Sequence, residues 1–172
     1  MEMPQERMED EMKKALVLYF SVYGTAKKTA EEIAKQTGAD LKEIVPAVPY
    51  DSNRDHYNSL ARAAKREHDQ DARPAIKDPI NIDEYDTIFI GYPMWWYTFP
   101  MIIYTLFDQL DFTGKTIVPF NTHMGSGDGG TYETIKELEP GARVLKGLPV
   151  EMSDAEKGVP DRVQKWLSSL PL

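Results

Sequence analysis

The chain has 172 residues, 41% of them hydrophobic and 28% charged, with a formal net charge of -8. A domain of this length buries roughly two-thirds of the surface its unfolded chain exposes, so it can hold a core without metal or disulfide. It contains no cysteine, which excludes disulfides, thiolate nucleophiles and Cys-ligated clusters and leaves any redox chemistry to a bound cofactor.

The acidic balance and the shortness of the basic runs argue against nucleic acid as a partner, because phosphate neutralisation needs a Lys/Arg stripe. Apolar stretches such as Ala15 to Phe20 and Thr98 to Leu106 are far short of the roughly 20 residues that span a bilayer, so no membrane segment is expected. Residues 1–14 are polar and mixed in charge, lack a secretory h-region, and read as a solvated arm preceding a domain over 15–172; the expected compartment is the cytoplasm.

From Ala15 the continuous apolar run Leu16-Val17-Leu18-Tyr19-Phe20 predicts a strand buried on both faces. After Ser21-Val22-Tyr23-Gly24, a helix is expected over Thr25–Thr37, with Ala26, Ala30, Ile33 and Ala34 at helical spacing and Gly38 at its end. Leu41–Val45 reads as a short strand stopped by Pro46 and Pro49. Residues 50–72 carry only a weak helical stripe through Tyr57, Leu60, Ala61 and Ala64. Asp86–Tyr92 is a second buried strand, followed by a helix over Met101–Leu110. Lys115–Phe120 is a strand that opens into a glycine-rich loop, and a helix follows over Thr131–Leu138. Arg143–Val150 reads as the last strand. Asp154–Leu170 reads as the last helix, with Val159, Val163, Trp166, Leu167 and Leu170 on its inner face. Strands alternating with helices predict a single α/β domain with a mostly parallel sheet covered on both sides. In such sheets ligands bind beyond the strand C-termini, where strand order reverses.

Three loops therefore carry the functional question. Ser21 to Ala26 joins a buried strand to a helix start, where orphan N–H groups and the positive end of the helix dipole make an anion site to which Ser21 and Thr25 can add hydroxyls. A plain cap, with Thr25 as N-cap, is the structural alternative. The spacing matches neither a P-loop nor a dinucleotide fingerprint. In Gly91-Tyr92-Pro93-Met94-Trp95-Trp96-Tyr97-Thr98-Phe99-Pro100, adjacent side chains point to opposite sides of an extended segment, so Trp95 and Trp96 cannot share one buried face. Such a rim suits a flat heteroaromatic ligand, or else forms a hydrophobic plug or a contact patch. Thr122 to Gly130 allows close backbone approach to a ligand edge. A Ser126–His123–Asp128 hydrolase lacks the G-x-S-x-G elbow, and His123 reads as a hydrogen-bonder within the loop. The three histidines lack metal-ligand spacing, so no metal site is expected.

Tyr19 to Ala26, Gly91 to Tyr97 and Thr122 to Gly127, each after its strand, resemble the three flavin-contacting loops of the flavodoxin family. The resemblance covers about Ala15 to the C-terminus and implies a doubly wound five-stranded parallel sheet of order 2-1-3-4-5, the order that general rules for such folds quote for flavodoxin itself. It implies FMN as cofactor. The phosphate would lie at Ser21, Tyr23, Gly24, Thr25 and Ala26, and the ring against Pro93, Met94, Trp95, Trp96 and Tyr97 on one side and Thr122, His123, Met124, Gly125 and Gly127 on the other. Two departures stand out. Tyr23 and Ala26 replace hydroxyl-bearing positions of the family's phosphate loop. Tyr97 stands where a related pattern has glycine, and a Cβ there resists the positive φ of a backbone flip. The phosphoacceptor receiver domains share the architecture, but Phe20-Ser21 and Gly91-Tyr92 stand where their acidic residues would be.

With FMN bound, the chemistry belongs to the flavin, no side chain need act as acid or base, and an acidic surround would lower the reduction potential. The resemblance implies first an electron carrier between redox protein partners. The alternative is an NAD(P)H-dependent reductase of quinones or other small flat acceptors, walled by Trp96, Tyr97 and His123. A non-redox module that recruits a partner through the aromatic loop is a third reading.

Overall fold

The structure is a computed structural model and describes residues 14–154 and 157–172. The expected polar arm over 1–14 lies outside the described residues except for Lys14. The elements are β1 (Ala15–Tyr19), α1 (Thr25–Thr37), β2 (Asp40–Glu43), a 3-10 turn (Arg54–His56), α2 (Tyr57–Asp69), β3 (Thr87–Pro93), α3 (Met101–Gln109), β4 (Thr116–His123), α4 (Thr131–Leu138), β5 (Arg143–Val144), β6 (Leu148–Glu151), a second 3-10 turn (Met152–Asp154) and α5 (Val159–Ser169). All pairings are parallel, in the order β2-β1-β3-β4-β5, with β6 also on β4.

The pleat sorts each strand between two cores. Leu16, Leu18 and Phe20 of the first strand, with Ile88, Ile90 and Tyr92 of β3, face Ile102, Ile103 and Leu106 of α3 and Ile135 of α4. Val17, Tyr19 and Phe89 point the other way, onto Ala30 and Ile33 of α1 and Val159, Val163 and Trp166 of α5. Chain order reverses at β1, whose two neighbours are β2 and β3. The loops after β1, β3 and β4 therefore meet at one end of the sheet.

Five boundaries differ from the sequence reading. The strand expected over Lys115–Phe120 occupies Thr116–His123, so Thr122 and His123, expected in the loop, end the strand. The strand expected over Leu41–Val45 occupies Asp40–Glu43 and is exposed along its length, because it is the sheet's edge and only Ile44 just beyond it is fully buried. The weak stripe in 50–72 is a 13-residue helix, α2, whose buried residues are Leu60 and Ala64. The last helix begins at Val159 rather than Asp154, since Gly158 caps it at φ 74° and Pro160 occupies its first turn. The single strand expected over Arg143–Val150 is two. Ile117 pairs with Val144 and Phe120 with Leu148, so this edge carries one more residue than β4 between those pairs, a bulge. The Lys146 carbonyl, within the bulge, accepts from Trp166 Nε1 at 2.8 Å. No helix among the described residues is long and apolar enough to cross a membrane.

Candidate functional site: a cavity at the strand C-termini

An open cavity of about 1010 Å³ lies where the three loops converge. This is the upper end of the size range for small-molecule and cofactor pockets. Ser21, Tyr23, Thr25 and Ala26 line it at one end, Pro93 to Tyr97 along one side, and Thr122, His123, Met124 and Gly125 along the other. Gly24 and Gly127 are not on its wall.

Gly24 instead caps α1 with φ 90°, and no side chain caps that helix. The expectation of Thr25 as N-cap is thereby corrected: Thr25 is the first helical residue, because only the glycine takes the left-handed turn without strain. Ser21 Oγ accepts from the Gly24 N–H at 3.0 Å, which holds the loop closed. The first turn carries no acidic residue, so the N–H groups of the helix start have no side-chain anion of their own. The Tyr23 hydroxyl is sealed from solvent and has no hydrogen-bond partner among the described residues. Desolvation first, then the charge fields of Tyr57 and Asp51, raise its pKa despite the opposing Arg54, so Tyr23 stays a neutral donor.

The paired tryptophans point apart, but a turn and not the alternation of an extended segment separates them. Trp95 turns inward, edge-on to Phe20 at 5.3 Å and to Tyr50 at 5.2 Å between centroids. Trp96 turns out, 43% exposed, and its Nε1 donates to the Ala61 carbonyl of α2. The backbone here is a two-residue hairpin. Trp95 and Thr98 exchange N–H···O bonds of 2.9 and 3.2 Å, and Trp96 and Tyr97 both have positive φ, 52° and 63°. Those are the φ signs of a type I′ turn, which glycine and asparagine favour. Tyr97 thus takes positive φ despite the resistance of its Cβ: the closing bonds hold both residues there, at a cost of about 1–2 kcal/mol each.

The third loop is held from beneath. Asn121, fully buried, donates to the Gly127 carbonyl at 2.9 Å and accepts from the Tyr132 hydroxyl, which explains why Gly127 faces the sheet and not the cavity. Thr131 Oγ1 donates to the Asp128 carbonyl at 2.7 Å and contacts the Tyr92 hydroxyl. Burial, chiefly, raises the pKa of both Tyr92 and Tyr132, so these phenols stay neutral. Gly129 lets the loop touch its neighbour, since a Cβ there would lie 2.5 Å from Met94 Cε and 3.2 Å from the Tyr97 carbonyl oxygen. His123 Nδ1 accepts from the Gly125 N–H at 3.0 Å and makes no bond to Ser126 among the described residues. Among those residues no group of three His, Cys, Asp or Glu is placed to hold a metal.

A fourth wall was not singled out from sequence. Arg54, Tyr57, Asn58, Ala61 and Ala64 line the cavity from the first 3-10 turn and α2. The alanines at 61 and 64 and the aromatic at 57 were the available signal, as a small-residue stripe with a ring at one end.

The flavodoxin sequence profile matches residues 14–170. The chain belongs to the flavodoxin family. Among solved structures, this flavodoxin-family chain superposes with a TM-score of 0.80 on a protein of Bacteroides eggerthii assigned to the flavoproteins, at 34% identity, covering 93% of this chain and 99% of that one. It superposes with a TM-score of 0.67 on a flavoprotein from Lactobacillus acidophilus in complex with FMN, at 29% identity, covering 84% and 97% of the two chains. It is also 28% identical, over 80% of its own length and 72% of the relative's, to an NAD(P)H dehydrogenase (quinone) of Gluconacetobacter diazotrophicus.

Proposed function

We propose that this flavodoxin-family protein is an FMN-dependent redox protein that transfers electrons through a non-covalent flavin. The observation that carries the reading is the cavity itself: a helix N-terminus with no side-chain cap at one end, and an indole-rich hairpin at the other. Those are the requirements of a molecule with an anionic tail and a flat ring. Ser21, Tyr23, Thr25 and Ala26 with the Gly24 turn would hold the phosphate. Pro93 to Tyr97 and Thr122 to Gly125 would hold the ring. Once bound, the flavin supplies the electron-accepting and electron-donating chemistry. The chain's residues bind and orient it, and the inward aromatic cluster of Phe20, Tyr50 and Trp95 keeps water from that side of the cavity. No side chain is assigned as acid or base.

The favoured role is an electron carrier whose partners are redox proteins meeting the open mouth of the cavity. One observation supports a second reading, an NAD(P)H-dependent reductase of quinone-like acceptors. The relative from Gluconacetobacter diazotrophicus carries that activity in its name. Reconstitution with FMN followed by anaerobic NADPH separates the two. A visible flavin band that persists until a protein reductant is added supports the carrier, and direct bleaching by NADPH supports the reductase. Failure to retain any flavin overturns both.

A further inference from the structure

The segment over residues 50–56 contains no recognisable motif, yet it brings a cation to the loop that starts α1. Arg54 Nη2 donates to the Tyr23 carbonyl at 3.2 Å, and its guanidinium carbon lies 5.2 Å from the Tyr23 ring centroid. Both residues line the cavity. Arg54 forms no ion pair among the described residues, although Asp51 and Asp55 are close in sequence. The Asp51 carboxylate is taken instead by the Asn53 N–H at 2.9 Å and by His56 Nδ1 at 2.6 Å. A guanidinium has five N–H donors in a rigid fork, and the contact with Tyr23 uses one side of it. Next to it is the start of α1, where no side chain caps the helix N–H groups.

We propose that Arg54 is the charged member of a phosphate-monoester clamp, so that this protein selects the phosphorylated flavin over riboflavin. The inference rests on the FMN reading above and adds a residue from outside the three loops. Arginine pairs with phosphate oxygens through two parallel N–H donors. In a chain of net charge -8, a local cation also offsets the repulsion a dianionic ligand meets on approach. Tyr23 holds the guanidinium in place through its carbonyl and its ring.

The test is a fluorescence titration of flavin-free protein with FMN and with riboflavin, for the wild type, Arg54→Gln and Arg54→Lys. Arg54→Gln is expected to weaken FMN binding about tenfold, the loss of one charge-assisted contact, and to leave riboflavin binding unchanged. Arg54→Lys should recover part of the loss, and the wild-type preference for FMN should shrink as salt rises toward about 1 M, where the Debye length is about 3 Å. Unchanged FMN affinity in Arg54→Gln overturns the clamp. Equal losses for both flavins also overturn it, by showing that Arg54 only braces Tyr23. A wild type that binds neither flavin removes the FMN reading itself, an outcome seen before any variant is made.

Discussion

The indole Nε1 of Trp96 donates to the main-chain carbonyl of Ala61 at 2.8 Å, tying the loop after β3 to helix α2 across the cavity. Lys65, one helical turn on, lies 5.6 Å from the Trp96 ring centroid, close enough for a cation–π contact. Trp96→Phe keeps a ring and removes the donor. It should cost about 0.5–1.5 kcal/mol in urea unfolding and speed amide exchange within residues 57–69. Unchanged exchange there would mean that α2 is held by its other contacts, the buried Leu60 and Ala64 and the Glu67 bond to Tyr50.

The hairpin at Trp96 and Tyr97 makes a prediction of the opposite sign. Tyr97 is 79% exposed and sits at φ 63°, so its ring contributes little packing while its Cβ is strained. Tyr97→Gly should raise stability by up to about 1 kcal/mol, read as a higher urea midpoint. Tyr97→Ala, which keeps the Cβ, should give no gain. A lower midpoint for the glycine variant would show that the tyrosine ring is held by the cavity wall.

Gly91 lies in the middle of β3, where a Cβ would come within 2.1 to 2.8 Å of three atoms of the Phe120 ring. That ring is fully buried on the neighbouring strand and has nowhere to swing. Gly91→Ala should therefore destabilise the fold by about 1–3 kcal/mol. The paired variant Gly91→Ala with Phe120→Leu should recover part of the loss if the clash is the cause.

Glu67 gives a pH signature. Its carboxylate accepts from the Tyr50 hydroxyl at 2.5 and 2.7 Å. Burial still outweighs that bond and the nearby Arg66, so its pKa is raised. Burial and the same carboxylate raise the pKa of Tyr50 as well. For an acid with a raised folded-state pKa, the folded chain holds its proton more tightly than the unfolded chain. The associated stability is complete below the ordinary glutamate pKa and is lost as pH rises through the raised one. Glu67→Gln, which keeps an acceptor for Tyr50, should flatten the fall in thermal midpoint across that window. A fall of wild-type size in the variant would assign it to other groups.

What the sequence revealed follows from how strongly each stretch is constrained. The buried strands β1 and β3 and the helices α1, α3 and α4 were legible because burial on both faces leaves continuous apolar runs, and burial on one face leaves helical spacing. The three loops were legible because they follow β1, β3 and β4, three strands each read from an apolar run. The wall made by α2 and the turn before it was not: the stripe through Tyr57, Ala61 and Ala64 marks a helix face but not what that face meets, and Arg54 stands alone in the preceding turn. The hairpin backbone ran against local preference: Trp-Tyr does not favour positive φ, and only the cross-bonds between Trp95 and Thr98 impose it. The last strand was misread as one because the extra residue near Lys146 interrupts the pairing with β4 but not the run of strand-forming residues.

That extra residue also bears on how the molecule meets its own copies. β5 and β6 form one margin of the sheet as two short runs out of step with each other. The other margin is the four-residue β2, with Asp40, Lys42 and Glu43 exposed along it. Neither side offers a long, flat, uncharged row of peptide groups for a neighbouring chain to extend. A parallel sheet of this kind is slow to assemble, and short, interrupted or charged margins are the features by which sheets discourage edge-to-edge pairing once folded.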